Sequence, residues 1–345
     1  MYYPEKIKQA PITGLAGFGG GASGLGISGG AAAATFVNGG DRALACGGYS
    51  PAGPTNGLQR MDYWNIATNS GSVADFGDVS QTRSYIGGCS DSSRGLNMGG
   101  HRPHDGDKDT IDYVTIATTG NATDFGNLSN ITNHCGAISD ATRAVCMIGK
   151  YGGTEYLGTL EYVTIQSTGN AQDFGDMVSS NGNLSDPDGG SDGNIGIYFG
   201  GYVDLSGTEQ VSNAMEYITI ATTGNATDWG DLHQGARAHP GGCGNHVRCL
   251  CIGGNSNNTY YSDISYAVYT TTGSSSDFGD LGFNRSYADA MASETRAVYC
   301  GGYIGSSQYK NNIDYVTIDT TGDSTDWGDL HQEGYGHGTF TGDAS

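Results

Sequence analysis

Histidines, cysteines and a recurring Asp-aromatic-Gly tripeptide are the residues of this chain whose types could do chemistry. His134, His239 and His337 hold one register, each just ahead of a run of small residues, and Tyr85 and Tyr287 take that place in two further copies. Imidazole can ligate a metal or pass a proton, so these five positions form one candidate site. His233 and His331 share a second register. The tripeptide Asp-Phe-Gly occurs at residues 75, 124, 173 and 277, with Trp replacing Phe at 229 and 327. In kinases that Asp holds a metal, but the other kinase motifs are missing, and sixfold repetition argues for a structural role. The pairs Asp75/Asp78, Asp173/Asp176, Asp228/Asp231, Asp277/Asp280 and Asp326/Asp329 could suggest calcium. Calcium needs six to eight oxygens and no acidic loop is clustered, so turn capping is the expectation. Gly19–Gly24 satisfies a dinucleotide-binding glycine pattern in form only, because no strand precedes it and no helix follows. Cys46, Cys89, Cys135, Cys146, Cys243, Cys249, Cys251 and Cys300 fit no zinc or haem spacing and are expected as buried free thiols. No metal, cofactor or catalytic residue is assigned from these patterns, and no Ser-His-Asp elbow or HExxH helix is present.

The elements that position these groups come from repetition. IDYVTIATTGNATDFGNL (111–128) has five counterparts, marked by Tyr63, Tyr113, Tyr162, Tyr217, Tyr266 and Tyr315 at spacings of 50, 49, 55, 49 and 49. An apolar run ending in glycine, such as RALACGG (42–48) or RCLCIGG (248–254), precedes each. Upstream again lies a run of small residues, weakest at 186–193. Four strands per copy follow: the small-residue run, the run before the glycines, the tyrosine segment, and, after the TTGN turn, the segment with the Asp-aromatic-Gly tripeptide.

This order resembles the kelch repeat, with its Gly pair after strand two and aromatics in strands three and four. Arg83, Arg237 and Arg285 match the family's arginine before strand one. Two departures are Ile148, in place of the first glycine of the pair, and Ile195, in place of arginine in strand two. The resemblance implies an all-β, six-bladed kelch-like β-propeller with four antiparallel strands per blade. Its blades would span 31–80, 83–129, 133–178, 184–232, 238–281 and 286–330. Residues 1–30 read as a Gly-rich extension for attachment or oligomer contacts, and 331–345 as a segment resembling strand one. Either 31–37 or 336–345 could complete the first blade. First strands meeting at a narrow axis explain their Ala and Gly content, and the five His/Tyr positions would then rim the channel. Galactose oxidase carries copper on such a scaffold, but its Cys–Tyr crosslink and converging His/Tyr set have no matching segment here.

Function is expected where copies differ. Loops between strands two and three leave the same face as the connections between blades. They carry Tyr49, His101, Arg102, His104, Tyr151, Tyr156, Tyr202, Tyr260, Tyr261, Tyr303 and Tyr309. Tyrosine with Asn, Asp and Ser suits polar ligands such as a glycan or a protein receptor. The formal charge of −21 argues against nucleic acid and anionic membranes, and no stretch is apolar enough to insert in a bilayer. The repeat also resembles kelch-like repeats of tailed-bacteriophage virion proteins, in tail and fibre components. That implies a non-enzymatic adhesion protein of the virion, assembled in the host cytoplasm and bound to other virion proteins through its terminal segments. The alternative is a purely structural connector or decoration protein, and an enzyme on the same scaffold ranks last.

Overall fold

The computed structural model describes residues 40–52, 56–151, 155–178, 184–204 and 208–344. This part of the chain is all-β, with antiparallel four-strand sheets. Sheet two joins Gly87–Ser90, Arg94–Met98, Gly106–Thr115 and Thr123–Thr132. Sheet three joins Gly136–Ser139, Arg143–Tyr151, Glu155–Thr164 and Gln172–Asp176. Sheet four joins Asp188–Ser191, Ile195–Phe199, Ala214–Thr219 and Thr227–Asp231. Sheet five joins Gly241–Gly244, Arg248–Ile252, Asp263–Val268 and Ser276–Asp280. Sheet six joins Asp289–Ala292, Arg296–Cys300, Asn312–Thr317 and Thr325–Asp329. Sheet one is completed from the far end of the chain: Gly338–Gly342 pairs with Arg42–Cys46, followed by Arg60–Asn65 and Ala74–Asp78. Of the two segments that could supply this strand, the C-terminal one does so. Residues 1–30, the glycine pattern at 19–24 and the stretch 31–37 lie outside the described residues.

Each landmark of the repeat has a physical task. In all six sheets the pairing of strands three and four slips at the same repeat position, as between Met61 and Asp62 or between Ile313 and Asp314, and sheet two has a second slip between Lys108 and Thr110. The extra residue in this bulge is the aromatic of the tripeptide. A bulge turns its residue out of the pleat, and Phe76 packs there against Val114 and Ile116 of sheet two. Burying such a ring contributes about 2–3 kcal/mol. The glycine after it is obligatory: a Cβ on Gly126 would lie 2.3 Å from the Gly169 carbonyl oxygen of the next sheet's turn. That turn docks through its own glycine. The Gly120 amide donates to the Phe76 carbonyl (2.7 Å), Gly169 to Phe125 (2.8 Å), and Gly71 of sheet one to Trp327 of sheet six (3.3 Å). The turn asparagine completes the joint, Asn121 Oδ1 accepting from the Asp78 amide at 3.0 Å. The Asp of the tripeptide caps in sheet one, Asp75 Oδ1 accepting from the Gly77 amide.

The strand-two arginine crosses between sheets. Arg94 lies over the Tyr113 ring, 4.2 Å from its centroid, and donates to the Ile165 carbonyl of sheet three (2.9 Å). Arg42, Arg143, Arg248 and Arg296 repeat the arrangement, and sheet four carries Ile195 instead. Facing that gap, Tyr269 replaces the isoleucine at the end of strand three and packs in one apolar cluster with Ile195. The Ile148 departure also has a consequence. Where a Gly pair with positive φ ends strand two elsewhere (Gly47 at 64°, Gly48 at 110°), strand two of sheet three runs on to Tyr151.

First strands touch first strands. Ser90 Oγ donates to the Thr341 carbonyl (2.6 Å), Ser139 Oγ to Ser90 (2.6 Å), Ser191 Oγ to Ser139 (2.5 Å) and Thr341 Oγ1 to Ala292 (2.6 Å). Two residues earlier in the same strands glycine lets backbones close in: a Cβ on Gly242 would sit 2.3 Å from the Gly189 amide nitrogen. All six first strands line a cavity of about 40 Å³.

Candidate functional site

Two sets of loops converge at one end of the sheets. The connection into each first strand pairs with the loop after strand two of the same sheet, through Ser84–His101, Asn133–Lys150, Ala238–Asn255, Ser286–Tyr303 and Tyr49–Tyr335. Two residues before each first strand, the chain adopts a left-handed backbone. Tyr85 (φ 56°), His134 (56°), Asp186 (57°), His239 (51°), Tyr287 (56°) and Gly336 (65°) hold this position in the six sheets. Such angles are costly for side chains with a Cβ, and backbone bonds between neighbouring connections hold them. The Tyr85 amide donates to the Gly336 carbonyl, Gly336 to Tyr287, and Tyr287 to His239.

Of the five expected rim residues, the structure brings four together. His337 lies one residue past the register, which Gly336 holds. Its buried ring instead meets Asp289 Oδ2 at 3.1 Å. The register error comes from reading the histidine, rather than the glycine before it, as the counterpart of His134. The residue missed is Asp186. The copy of strand one in sheet four looks least like the others, yet Ser-Asp-Pro at 185–187 matches Ala-His-Pro at 238–240 in spacing, a signal that could have found it.

Asp186 stands between the two histidines, with Tyr85 stacked on His134 (centroids 3.9 Å apart) and Tyr287 on His239 (3.6 Å). His239 Nε2 lies 3.1 Å from Asp186 Oδ1, and His134 Nδ1 contacts the same oxygen. The other carboxylate oxygen accepts from Ser185 Oγ at 2.6 Å. His239 Nδ1 is 3.0 Å from Asn255 Oδ1; an amide oxygen only accepts, so Nδ1 carries a proton and Nε2 is the ring atom that faces Asp186. These side chains line a cavity of about 50 Å³. Burial disfavours an ionised Asp186, but the facing histidines outweigh it and hold the carboxyl well below the usual range. Burial lowers His134 more than Asp186 raises it. Asp188 and Asp289, also on the cavity, are pushed up by burial, against opposing amide bonds at Asp188 and His337 at Asp289.

The loop tyrosines divide. Tyr49, Tyr303 and Tyr309 form one aromatic surface with Tyr335, another residue the sequence reading passed over: Tyr309 stacks parallel to Tyr335 at 5.7 Å and Tyr49 meets it at 4.9 Å. Tyr260 extends the surface against Tyr303 (5.7 Å), and Tyr335 joins it to the mouth through a 3.0 Å hydroxyl bond from Tyr85. Tyr202 meets the His239 ring at 5.2 Å. Tyr261 does not join; its ring lies under the buried Arg237 guanidinium. Tyr156 bonds Glu209 and carries Lys150 over its ring. His101 pairs with Asp107 (2.8 Å), Arg102 with Asp105 (3.1 Å), and His104 sits exposed with φ 69° at the tip of that hairpin. Tyr151 ends its strand, and its side chain lies outside the described residues. His233 and His331 are exposed beyond strand four, the His331 amide donating to Asp62.

The arginines ahead of the first strands are structural. Arg83, fully buried, donates to the Gly99 and Thr110 carbonyls and to Asp112 Oδ2 (2.6 Å). Arg237 and Arg285 hold Asp263 and Asp314 in the same way. All eight cysteines are free thiols, and all but the half-buried Cys135 are buried. Compared with known proteins, the chain matches no family model and no curated protein.

Proposed function

We propose that the six sheets are blades of a closed, kelch-like β-propeller, and that its loop-rich face is a non-enzymatic binding surface for a saccharide of a host cell. The ring closure is supported by the sequence of inter-sheet joints, which runs through all six sheets and returns from Trp327 to Gly71. The binding reading rests on one observation: half-buried tyrosines from three loops, one connection and the mouth make one continuous aromatic surface. Flat rings suit the apolar face of a sugar, and hydroxyls at their edges suit its polar rim. The resemblance of the repeat to phage tail and fibre repeats adds the setting, a virion protein that adheres to a bacterial surface.

A glycan array of bacterial surface saccharides tests the reading. The wild-type chain should bind a restricted set, and Tyr303→Ala with Tyr309→Ala should weaken it about a hundredfold, on the scale of two lost stacking contacts of ~1.5 kcal/mol each. Tyr261→Ala is an unsuitable probe because its ring packs on Arg237. Absence of saccharide binding, or binding indifferent to the double substitution, favours the connector or decoration reading.

A further inference from the structure

We propose that His134, Asp186 and His239 bind one divalent transition-metal ion of the zinc class at the mouth of the sheets. The three ligand atoms, His134 Nδ1, Asp186 Oδ1 and His239 Nε2, lie within 4.8 Å of one another. Zinc bonds of about 2.0–2.2 Å to nitrogen and carboxylate oxygen fit a set that close, after small rotations of the rings. Among the described residues no other three His, Cys, Asp or Glu side chains converge this way.

Three observations point to a cation rather than to a self-contained polar cluster. First, Asp186 Oδ1 is buried and accepts no hydrogen bond, although both imidazoles touch it. A buried carboxylate oxygen left this way has lost its hydration without a full replacement. Second, Asn255 occupies His239 Nδ1 and so leaves Nε2 as the ring atom facing that same oxygen, 3.1 Å away, a pair of ligand atoms between which a proton or a metal can stand. Third, each ligand is already oriented from behind. Asn255 fixes the His239 tautomer, Ser185 holds Asp186 Oδ2, and Tyr85 and Tyr287 pack on the imidazole faces. Outer partners of this kind are what metal-binding histidines and carboxylates use. Two imidazoles with one carboxylate select zinc and its neighbours over calcium or magnesium, which take oxygen. Three protein ligands leave at least one coordination position facing the cavity of about 50 Å³, open to water or to an oxygen of a bound molecule. The site stands whether or not the tyrosine surface binds a saccharide.

The test uses the full chain after EDTA treatment. Titration with ZnCl2 by calorimetry, with elemental analysis after gel filtration, should give one equivalent per chain bound at about micromolar affinity or tighter. Co2+ should give the visible absorption of a low-coordinate nitrogen/oxygen site. Asp186→Asn and His239→Gln should each abolish stoichiometric uptake, and Asn255→Ala, which only positions His239, should weaken it about ten- to a hundredfold. Melting curves in EDTA separate lost binding from lost folding. In the wild-type chain, Zn2+ should protect His134 from diethyl pyrocarbonate, a readout that needs no variant. The proposal falls if the wild type takes up no zinc, if it prefers Ca2+, or if folded Asp186→Asn binds as well as wild type. No uptake of any metal leaves a proton-bridged His-Asp-His cluster.

Discussion

At the scale of single residues, environment rather than type decides what each reactive group does. The eight thiols illustrate this. Burial pushes Cys46, Cys243, Cys249 and Cys300 well up, the bond to Cys135 together with burial does the same for Cys146, and burial holds Cys89 and Cys251 at about 12. Cys135 is the exception: a bond from the Cys146 thiol stabilises its thiolate, against the opposing effect of burial. Thiolate is the nucleophile, so iodoacetamide should label Cys135 first in the native protein, with the other seven reacting only in denaturant; mass spectrometry of a time course reads this directly. Residue type and register were enough to mark His134, His239, Tyr85 and Tyr287. They did not mark Asp186, because the Ala/Gly signature of strand one is faint in that copy, nor Tyr335, because the rings it joins come from both ends of the chain, Tyr49 and Tyr85 as well as Tyr287, Tyr303 and Tyr309. Tyr156, Tyr261, His101 and Arg102 looked equivalent to Tyr303 and Tyr309 as loop residues, yet their nearest charged groups claim them.

At the scale of elements, the repeat spells out joints between sheets more than it spells out strands. Turn glycine, turn asparagine, bulged aromatic and strand-two arginine each reach a neighbouring sheet. This is why periodicity alone revealed four strands per copy, while the reason for Asp-Phe-Gly became visible only with the next sheet's turn in place. The buried ion pairs lock the other end. Arg83→Met leaves Asp112 buried without its cation and should cost about 3–5 kcal/mol, read as a shift of the urea midpoint. Replacing both partners, as Arg83→Met with Asp112→Leu, should recover part of that loss. An equal or greater loss in the double variant would mean that the Ser80 and Asn97 bonds to Asp112 carry the joint instead.

At the scale of the whole molecule, stability depends on protons kept on buried acids. The thiols raised above 9.0 and the buried Tyr198, Tyr269 and Tyr299, raised by burial, keep their protons in the folded state at pH values where the unfolded chain has lost them. The stabilisation is full below pH 9 and is lost as pH rises from 9 through the tyrosine range and beyond. Each such proton contributes a slope of about 1.4 kcal/mol per pH unit. Melting temperature should therefore be level from pH 7 to 8.5 and fall steeply by pH 10.5; a flat profile would contradict the burial of these groups. Truncation after Gly336 removes the strand that completes sheet one, and should abolish a cooperative melt rather than lower it by a few degrees, as scanning calorimetry would show. The total of six repeats and the small-residue first strands were legible in sequence. Which segment completes sheet one was not, because 31–37 and 336–345 carry equivalent patterns.

That pairing sets how the protein would respond to force. Arg42 lies opposite Gly342, at the end of the strands away from the tyrosines. A pull separating these two points would not shear the strands along their length. It would open them like a zip, one hydrogen-bonded rung at a time, starting at the side remote from the aromatic mouth. The seam is thus weak in peel, and a load carried through only one of its two strands would spare it.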